Sequence, residues 1–437
     1  MRIAMVTEYA YPVLGGVPEH VHNLSRELAA RGHEVTVLTS LAPFGMKRRA
    51  RALDAENLAV HGYRTLRMAA SMPFYGNGSV ARVSIGMPGL KVRVTHALHG
   101  MDVVHAQGLA VPTLPLYSLR TSLAPVNVGT FHTYFERGHW GYRYFLAYVK
   151  STLARTDRLI AVSEPCITAM RPYFTEQDFE IIPNGIDTDL YSPLAPSEAR
   201  PDGPPRILFV GRFDPRNALD TMLDAARILA DEGRDFVLQV VGDGPLRPKY
   251  HHQAKALGVD DRVEWLGLLD KERPQLYREA TVFAAPCVLA SFGVVLLEAM
   301  ASGTPVVCAD NIGFRQVIRD GAPGRFVPPR DAAALARGIG ELLDDPAMRA
   351  DWGARGRELA VEEYAWPTIA RRVEDLYTEI IERKRGAPPT PPMGLRFNLQ
   401  RSPVELARNL PRAVLAGFRA PRRRRSEPGR GDEPEGG

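Results

Sequence analysis

Residues 291–303 combine groups that can hold a phosphate with a carboxylate that can hold a sugar hydroxyl. Ser291 and Gly293 stand before an apolar run, and Glu298 lies five positions after Gly293. If a helix opens at Ser291, its first turn presents unpaired N–H groups and the positive end of the helix dipole, an arrangement that binds anions. Because a helix rises about 1.5 Å per residue, Glu298 would lie roughly 7 Å along the axis, about the reach from a diphosphate to the ribose of a nucleotide. A buried helix with an N-terminal glycine explains the same residues without a ligand.

A second glycine-bearing loop lies near the start of the chain. A strand is predicted at 2–6, the pair Gly15-Gly16 follows, and a helix is expected from Val17 to about residue 31. A strand, a glycine loop and a helix in this order are typical of nucleotide-binding α/β domains. The pair does not form the G-x-G-x-x-G pattern, so it is less specific than that pattern.

One histidine occupies a position where parallel sheets bind ligands. A strand is predicted at 126–128, and His132 follows it in the sequence Gly129-Thr-Phe-His132. Ligands of open parallel sheets bind beyond the carboxyl ends of the strands, which favours a functional role for His132. A histidine with a purely structural role is the alternative.

Strand and helix patterns alternate through most of the chain. Further strands are predicted at 35–38, 103–105, 159–162, 206–210, 237–241, 263–266, 282–286 and 305–308. Helices are expected between them and near 331–344, 346–362 and 367–384. Residues 41–58 are predicted to be irregular. The alternation predicts an α/β fold with parallel sheets and right-handed crossovers.

The composition is that of a globular protein of two domains. The chain has 437 residues, of which 45% are hydrophobic and 24% charged, and no apolar run is long enough for a membrane-spanning helix. The N-terminus does not have the pattern of a signal peptide. The 3 cysteines are too scattered for a disulfide framework or a zinc site, which favours a reducing cytoplasm.

The net charge of +5 is located in the C-terminal tail. Residues 386–437 contain ten Arg against five Asp or Glu, so the rest of the chain is near neutral and no nucleic-acid partner is expected. The tail is rich in Pro and Arg and is predicted to be largely disordered. Two basic clusters could attract an anionic membrane surface, with a solvated surface as the alternative. They are Lys47, Arg48, Arg49 and Arg51, and the run Arg422–Arg425.

Several of these motifs together resemble the retaining glycosyltransferases of family 4. The resemblance covers about residues 1–380, and its motifs occur in the family's order. They are Gly15-Gly16-Val17 with His20, Gly129-Thr-Phe-His132, Ala161-Val-Ser163, Ile182-Pro-Asn-Gly-Ile-Asp187, Phe209-Val-Gly-Arg212-Phe-Asp, Val241-Gly-Asp-Gly-Pro245, Phe292-Gly293, Glu298-Ala-Met and Gly303-Thr-Pro-Val-Val307. Within the family, residues 77–82 and 129–133 are most similar to the bacterial phosphatidylinositol α-mannosyltransferases.

The resemblance implies the GT-B fold, in which two Rossmann-like domains with parallel sheets face a central cleft. It implies an acceptor-side domain over 1–190, a linker over 191–205, a donor-binding domain over 206–365, a helix over 366–385 that crosses back to the first domain, and the tail over 386–437. Five prolines within residues 188–205 independently mark the boundary.

The family moves a hexose from a nucleotide-diphosphate sugar to a hydroxyl acceptor, with retention by a front-face mechanism and without a metal or cofactor. The resemblance favours mannose from GDP-mannose and a lipid or glycan acceptor, for example phosphatidylinositol. It assigns catalysis to His132 and Arg212. It assigns acceptor binding to Tyr9, Arg82 and His132, and donor binding to Gly15, Gly16, Arg212, Arg216, Gly242, Ser291, Phe292, Gly293, Val294 and Glu298.

Two positions depart from the family pattern. The family has a lysine where this chain has Asn217, and a glutamate eight positions before Glu298, where this chain has Ala290. A charge-assisted hydrogen bond is worth roughly 1.5–3 kcal/mol, so each loss could cost about 10- to 150-fold in rate or affinity. Arg216 could replace the lysine charge, but no neighbour in sequence replaces a carboxylate at Ala290.

Three hypotheses remain open from the sequence. The first is an active glycosyltransferase with an altered donor-sugar pocket, which Arg212, Glu298 and His132 support. The second is a degenerate member that binds a nucleotide sugar or a lipid with weak or no transfer, which Asn217 and Ala290 support. The third is a GT-B epimerase or phosphorylase, and the lack of a lysine-rich pyridoxal site in the second half disfavours this hypothesis.

Overall fold

The computed structural model describes residues 1–13, 15–76, 79–85, 89–109, 113–135, 140–175, 177–195, 202–269, 271–318 and 323–386. The tail after residue 386, with its Arg422–Arg425 run, lies outside this range, as do Asn77 and Gly78.

Eight strands form the first sheet, in the order β4-β3-β2-β1-β5-β6-β7-β8. They are β1 (Arg2–Thr7), β2 (Glu34–Ser40), β3 (Arg64–Gly76), β4 (Ser79–Ile85), β5 (Val103–Gln107), β6 (Val126–Phe131), β7 (Arg158–Ala161) and β8 (Phe179–Ile181). Neighbouring strands are parallel except for β3 and β4, which form an antiparallel hairpin that the sequence did not predict. Strands β5 and β6 are buried along their whole length, as expected for parallel strands covered on both faces.

Six strands form the second sheet, in the order β11-β10-β9-β12-β13-β14, and all neighbours are parallel. They are β9 (Arg206–Val210), β10 (Val237–Val241), β11 (Val263–Gly267), β12 (Val282–Ala285), β13 (Val306–Ala309) and β14 (Arg325–Val327). The predicted α/β class with two mainly parallel sheets is therefore confirmed. The strand order reverses between β1 and β5 and between β9 and β12, and such switch points are where open α/β sheets bind ligands.

Thirteen α-helices are seen in the described part of the chain. In the first half they are α1 (Gly16–Ala30), α2 (Lys47–Ala59), α3 (Leu90–Leu98), α4 (Leu114–Thr121), α5 (Trp140–Leu153) and α6 (Glu164–Met170). In the second half they are α7 (Leu219–Asp231), α8 (Arg247–Leu257), α9 (Arg273–Glu279), α10 (Val294–Ala301), α11 (Ala332–Asp344), α12 (Pro346–Tyr364) and α13 (Trp366–Arg383). No helix among them is long and apolar enough to cross a membrane.

Helix α2 corrects the prediction that residues 41–58 are irregular. Only Ala50 and Asn57 are buried on this helix. It therefore lacks the apolar stripe at helical spacing on which a prediction from sequence depends.

Helix α13 packs on the first domain although it follows the second sheet in sequence. Its buried residues, among them Ile369 and Val373, share one apolar cluster with Leu24 and Leu28 of α1. Lys384, just after the helix, pairs with Asp157 at 2.8 Å. The exact domain boundaries given above stay predictions.

Candidate active site

Two arginines after β9 converge on one carboxylate. Arg212 Nε and Nη2 donate to Asp214 Oδ2 at 3.0 and 2.6 Å, and Arg216 Nη2 lies 3.6 Å from the same oxygen. The Asp214 side chain is 7% exposed, whereas both arginine side chains are 44% exposed. A diphosphate carries more charge than one carboxylate, so it could draw both guanidinium groups into charge-assisted hydrogen bonds.

The side chain of Asn217 folds back into its own loop. Its Nδ2 donates to the carbonyl oxygen of Arg212 at 2.7 Å and to Asp214 Oδ1 at 3.3 Å. The same Oδ1 accepts from the backbone N–H groups of Arg216 and Asn217. Asn217 therefore stabilises the loop that carries Arg212, and Arg216 supplies the loop's second positive charge.

Close packing of two loops explains why position 242 is a glycine. Its φ is +143°, and a Cβ there would lie 1.9 Å from the carbonyl oxygen of Gly211. A Cβ on Gly244 would likewise lie 2.6 Å from the carbonyl oxygen of Phe213. The loop after β10 thus packs directly on the loop that carries Arg212. That Gly242 also contacts a donor stays a prediction.

Helix α10 begins at Val294 and not at Ser291, which corrects the helix start expected from sequence. Ser291 instead contacts the first domain: its Oγ accepts from the Tyr134 N–H at 3.0 Å, and its carbonyl oxygen accepts from Ser163 Oγ at 2.6 Å. These bonds hold Ser291 away from a helical path. They also bring the N-terminus of α10 close to the loop that contains His132 and Tyr134.

The amides expected to bind a diphosphate lie at this N-terminus. Gly293 caps α10, and a Cβ there would lie 3.1 Å from Phe314 Cδ1. Phe292 is buried, and its ring lies 6.0 Å from that of Tyr364. Within the described residues the N–H groups of Gly293 and Val294 make no hydrogen bond, as is usual for a first helical turn.

Glu298 is buried and already has partners. Its side chain is 2% exposed, and Oε1 lies 3.0 Å from Arg273 Nη2 and accepts from the Tyr191 hydroxyl at 3.2 Å. Arg273 Nε donates to the Tyr191 hydroxyl oxygen at 2.9 Å, and Arg273 Nη2 lies 3.8 Å from Glu19 of α1. Arg273 therefore links Glu298, which is predicted to bind the ribose, to helix α1, which follows the glycine pair. Both contacts are made by Oε1, and the buried Oε2 has no hydrogen-bond partner among the described residues, so Oε2 is the atom through which Glu298 could accept a ribose hydroxyl.

His132 is joined to a line of polar side chains inside the first domain. Its Nε2 lies 2.7 Å from Gln107 Oε1, and Gln107 Nε2 lies 3.2 Å from His105 Nε2. His105 Nε2 lies 2.6 Å from Thr130 Oγ1, and His105 Nδ1 lies 2.6 Å from the hydroxyl of Tyr377 on α13. The line runs from the crossing helix to the predicted catalytic histidine.

The imidazoles of this region are neutral at pH 7. Burial, together with nearby His20 and His105, holds the pKa of His132 well below its ordinary value. Burial lowers the pKa of His20 to about 4 against an opposing hydrogen bond with Asn184, and it lowers the pKa of His105 to about 3. The rings of His20 and His132 lie 4.7 Å apart in an edge-to-face arrangement. His132 can therefore act as a neutral donor and acceptor and not as a cation.

The loop at Ala290 is apolar. Residues 287–290 read Cys-Val-Leu-Ala, and the loop is held by two bonds to its backbone. Asn311 Nδ2 donates to the carbonyl oxygen of Cys287 at 2.7 Å, and the N–H of Val288 donates to the carbonyl oxygen of Arg216 at 2.8 Å. Burial raises the pKa of Cys287 to about 11, so the loop carries no charge at pH 7.

The glycine pair lies at the N-terminus of α1. Gly15 is the residue before the helix, with φ +151°, and Gly16 opens it. A Cβ on Gly16 would meet no atom within 4 Å, so the space beside it is open. Tyr9 is half-buried in a turn in which its N–H donates to Thr7 Oγ1 at 3.2 Å. Arg82 lies on β4 opposite Pro73, and its side chain is outside the described structure.

The first basic cluster lies on α2 beside an exposed apolar turn. Lys47, Arg48, Arg49 and Arg51 are exposed in the first two turns of the helix. The 3₁₀ turn Phe44–Met46 precedes it, with Phe44 89% exposed and Met46 42% exposed. Lys47 Nζ lies 5.1 Å from the centre of the Phe44 ring.

Several residues of this region were missed from sequence, among them Asp214, Gln107 and Arg273. Asp214 stands two positions after Arg212, and that spacing could have indicated it. Gln107 and Arg273 reach the site only through contacts between distant segments, so no local signal was available.

The fold and site together define a glycosyltransferase of the GT-B type. The structure is similar to that of sucrose-phosphate synthase from Thermosynechococcus elongatus, with a TM-score of 0.69 and 25% sequence identity, over 87% of this chain and 99% of that one.

Comparisons of sequence narrow the class. Residues 14–190 match the family described as Glycosyltransferase Family 4, and residues 193–359 match Glycosyl transferases group 1. The chain is 35% identical over 393 residues to a phosphatidyl-myo-inositol mannosyltransferase of Mycobacterium tuberculosis, covering 87% of this chain and 97% of the relative. It is 31% identical over 411 residues to a glycogen synthase of the same organism, covering 88% and 96%. The chain belongs to glycosyltransferase family 4.

Proposed function

We propose that the chain transfers mannose from GDP-mannose to a hydroxyl of phosphatidylinositol, with retention of the anomeric configuration and without a metal ion. The observation that carries the proposal is the contact of Ser291 with Tyr134 and Ser163, because it brings the two halves of the site together. We infer that the amides at the start of α10 and the loop of His132 contribute to one site.

The chemistry of the donor half fits a departing diphosphate. When the bond between the sugar carbon and the diphosphate breaks, the electron pair leaves with the nucleoside diphosphate and charge builds on its oxygens. Arg212 and Arg216 are exposed cations next to one another, and the N-terminus of α10 adds amide donors. Stabilisation of charge that develops in the transition state is the most effective use of such groups.

The substrates are proposed from the relatives and from the acceptor half. The mycobacterial phosphatidyl-myo-inositol mannosyltransferase aligns over 97% of its length. His132 is neutral, so it could accept a hydrogen bond from the attacking hydroxyl while the proton passes to the leaving group. Tyr9, Gly16 and Arg82 are the other residues we propose for the first-domain side of the site.

A donor panel tests this assignment. The protein is mixed with GDP-mannose, UDP-glucose, UDP-N-acetylglucosamine, GDP or UDP. The midpoint of thermal unfolding measures binding, and the amount of nucleotide released measures turnover. We expect GDP-mannose to raise the midpoint and to be turned over, and Arg212→Met to lower turnover by about 10- to 150-fold. Arg227→Met is the matched control, because Arg227 pairs at the surface with Asp231. Failure of every nucleotide to bind folded protein would overturn the donor site.

A degenerate protein is the second candidate, and Ala290 favours it. The loop 287–290 has no charged group where the family has a glutamate. The variant Ala290→Glu separates the two candidates. A wild-type protein that binds nucleotide without turnover, together with a variant that gains turnover, would support the degenerate candidate. Turnover by the wild type would instead make Ala290 part of an altered sugar pocket.

We also propose that the turn Phe44–Met46 and the basic start of α2 contact an anionic membrane that carries the lipid acceptor. Each basic residue near such a surface contributes about 1 kcal/mol, and an exposed aromatic ring can enter the headgroup region. Vesicle pelleting with phosphatidylinositol, compared with neutral lipid, measures this. Phe44→Ser should weaken binding several-fold, whereas Leu268→Ser, at a 72% exposed residue of the second domain, should not. Equal binding of both variants would contradict it.

A further inference from the structure

The line of polar side chains behind His132 lies in an apolar interface. Tyr377, His105, Gln107 and Thr130 are each no more than 1% exposed, between the first sheet and α13. The surrounding cluster includes Val126, Val128, Ile160, Ile369 and Val373. Buried polar groups in such an interface are costly unless each is hydrogen-bonded. A continuous chain of them that ends at His132 therefore needs an explanation beyond packing.

The contacts indicate which group donates and which accepts in each hydrogen bond of this line of polar side chains. Gln107 Nε2 lies 3.1 Å from Met5 Sδ and 3.2 Å from His105 Nε2, so the amide nitrogen faces those two atoms and the amide oxygen faces His132. With the Gln107 nitrogen as a donor at 3.2 Å and the Thr130 hydroxyl as a donor at 2.6 Å, His105 Nε2 is the acceptor, and the His105 proton lies on Nδ1 beside the Tyr377 hydroxyl. Because the Gln107 oxygen accepts, His132 carries its proton on Nε2.

We propose that Gln107, His105 and Tyr377 are positioning residues that fix His132 in the Nε2–H form and leave Nδ1 as the acceptor atom of its ring. The proposal rests on the proposed function only in placing His132 beside the reacting hydroxyl. It makes the crossing helix α13 part of the device that sets the catalytic tautomer, through three successive hydrogen bonds.

The line of polar side chains has one alternative arrangement, in which the direction of each hydrogen bond from Tyr377 to His132 is reversed. If Tyr377 cannot accept from His105, the His105 proton is better placed on Nε2, beside Thr130 Oγ1. Gln107 then turns its oxygen to His105 and its nitrogen to His132, and the His132 proton moves to Nδ1. Removal of one hydroxyl on α13 should therefore change the tautomer of His132.

The groups that face His132 limit what else can change its protonation. They are His20 on α1, His105 on β5 through Gln107, and the polar but uncharged Gln107 itself. Among the described residues, no carboxylate forms a hydrogen bond or an ion pair with this ring. A carboxylate introduced at position 107 would be the first negative charge next to Nε2.

The test uses the full chain with histidine labelled by ¹³C and ¹⁵N, because ring ¹⁵N shifts distinguish a protonated from an unprotonated nitrogen. The variant His132→Gln identifies the His132 signals. Wild type should show Nε2–H, and Tyr377→Phe should shift the tautomer ratio toward Nδ1–H by about tenfold or more. Tyr364→Phe is the matched control, because the Tyr364 hydroxyl donates to the carbonyl oxygen of Gln316 and is not part of the line of polar side chains behind His132.

Gln107→Glu supplies a second, nearly isosteric test if Tyr377→Phe does not fold. Its carboxylate should raise the pKa of His132 by about 1 to 3, since an opposite charge at hydrogen-bonding distance favours the protonated ring. An Nδ1–H tautomer in the wild type, or an unchanged tautomer in Tyr377→Phe, would overturn the proposal. An unchanged His132 titration in Gln107→Glu would do so as well. None of these readings needs a donor or an acceptor, so a failure of the proposed function would not be mistaken for a failure of this inference.

Discussion

Replacement of Arg273 by methionine should lower the free energy of unfolding by about 3 kcal/mol. The change keeps most of the aliphatic stem and removes the charge that faces Glu298, whose side chain is 2% exposed. Removal of one partner of a buried ion pair costs roughly 3–5 kcal/mol, because the other charge is left without compensation. Arg273 is 23% exposed, so water can partly replace it, and the lower end of that range applies.

Thermal unfolding measures this loss. For a domain of this size, 1 kcal/mol corresponds to about 2–4 °C, so the midpoint should fall by about 6–12 °C. Arg227→Met, which breaks a surface pair whose side chains are 46% and 56% exposed, should change stability by less than about 1 kcal/mol.

A double-mutant cycle separates the charge from the packing. In Arg273→Met with Glu298→Gln, no unpaired carboxylate remains, so part of the lost stability should return, with a coupling of about 1–3 kcal/mol. If Arg273→Met were no worse than Arg227→Met, or if the two changes were simply additive, the buried pair would not have the energetic role assigned to it.

Two further predictions concern the core around the site. Gly242→Ala should cost about 3 kcal/mol or more, because its Cβ would lie 1.9 Å from the carbonyl oxygen of Gly211. Gly267→Ala, at φ +71° with no atom within 4 Å of the added Cβ, should cost only about 1 kcal/mol; similar denaturation midpoints for the two would refute the packing argument. The depressed pKa values of His20 and His105, about 4 and about 3, mean that the unfolded chain binds more protons below pH 6.5. The contribution of each histidine to the free energy of unfolding should therefore be fully present above pH 7, and about 2 kcal/mol of it should be lost for each histidine by pH 5. Equal urea midpoints at pH 7.5 and pH 5 would contradict this.

The sequence predicted the strands and helices in which the pattern of apolar residues matches the buried positions. Strand β10 lies at Val237–Val241, as predicted, because both its faces are covered and its sequence is almost continuously apolar. Helix α2 was missed because its exposed face is charged and only two of its residues are buried. The antiparallel hairpin of β3 and β4 was missed because local pattern does not tell which neighbour a strand will pair with.

For the site, the sequence indicated single residues but not their partners. Glu298 was identified from its distance along a helix, yet its pairing with Arg273 joins two different helices. His105 and Gln107 are two positions apart and so lie on one face of β5, but the third member of their chain, Tyr377, is 272 positions from His105. Contacts of that kind depend on how helices and sheets pack, which one sequence read locally does not contain.

Transfer of labelled hexose to lipid tests the proposed activity most directly. The protein is incubated with GDP-mannose labelled in the sugar and with vesicles that contain phosphatidylinositol, and the lipid is extracted and its linkage determined by NMR. We predict a labelled inositol lipid with an α linkage, formed without added metal and reduced at least tenfold in Arg212→Met. A β linkage would contradict retention. Binding of GDP-mannose without any labelled lipid, under conditions in which the protein is folded and vesicle-bound, would contradict transfer to phosphatidylinositol.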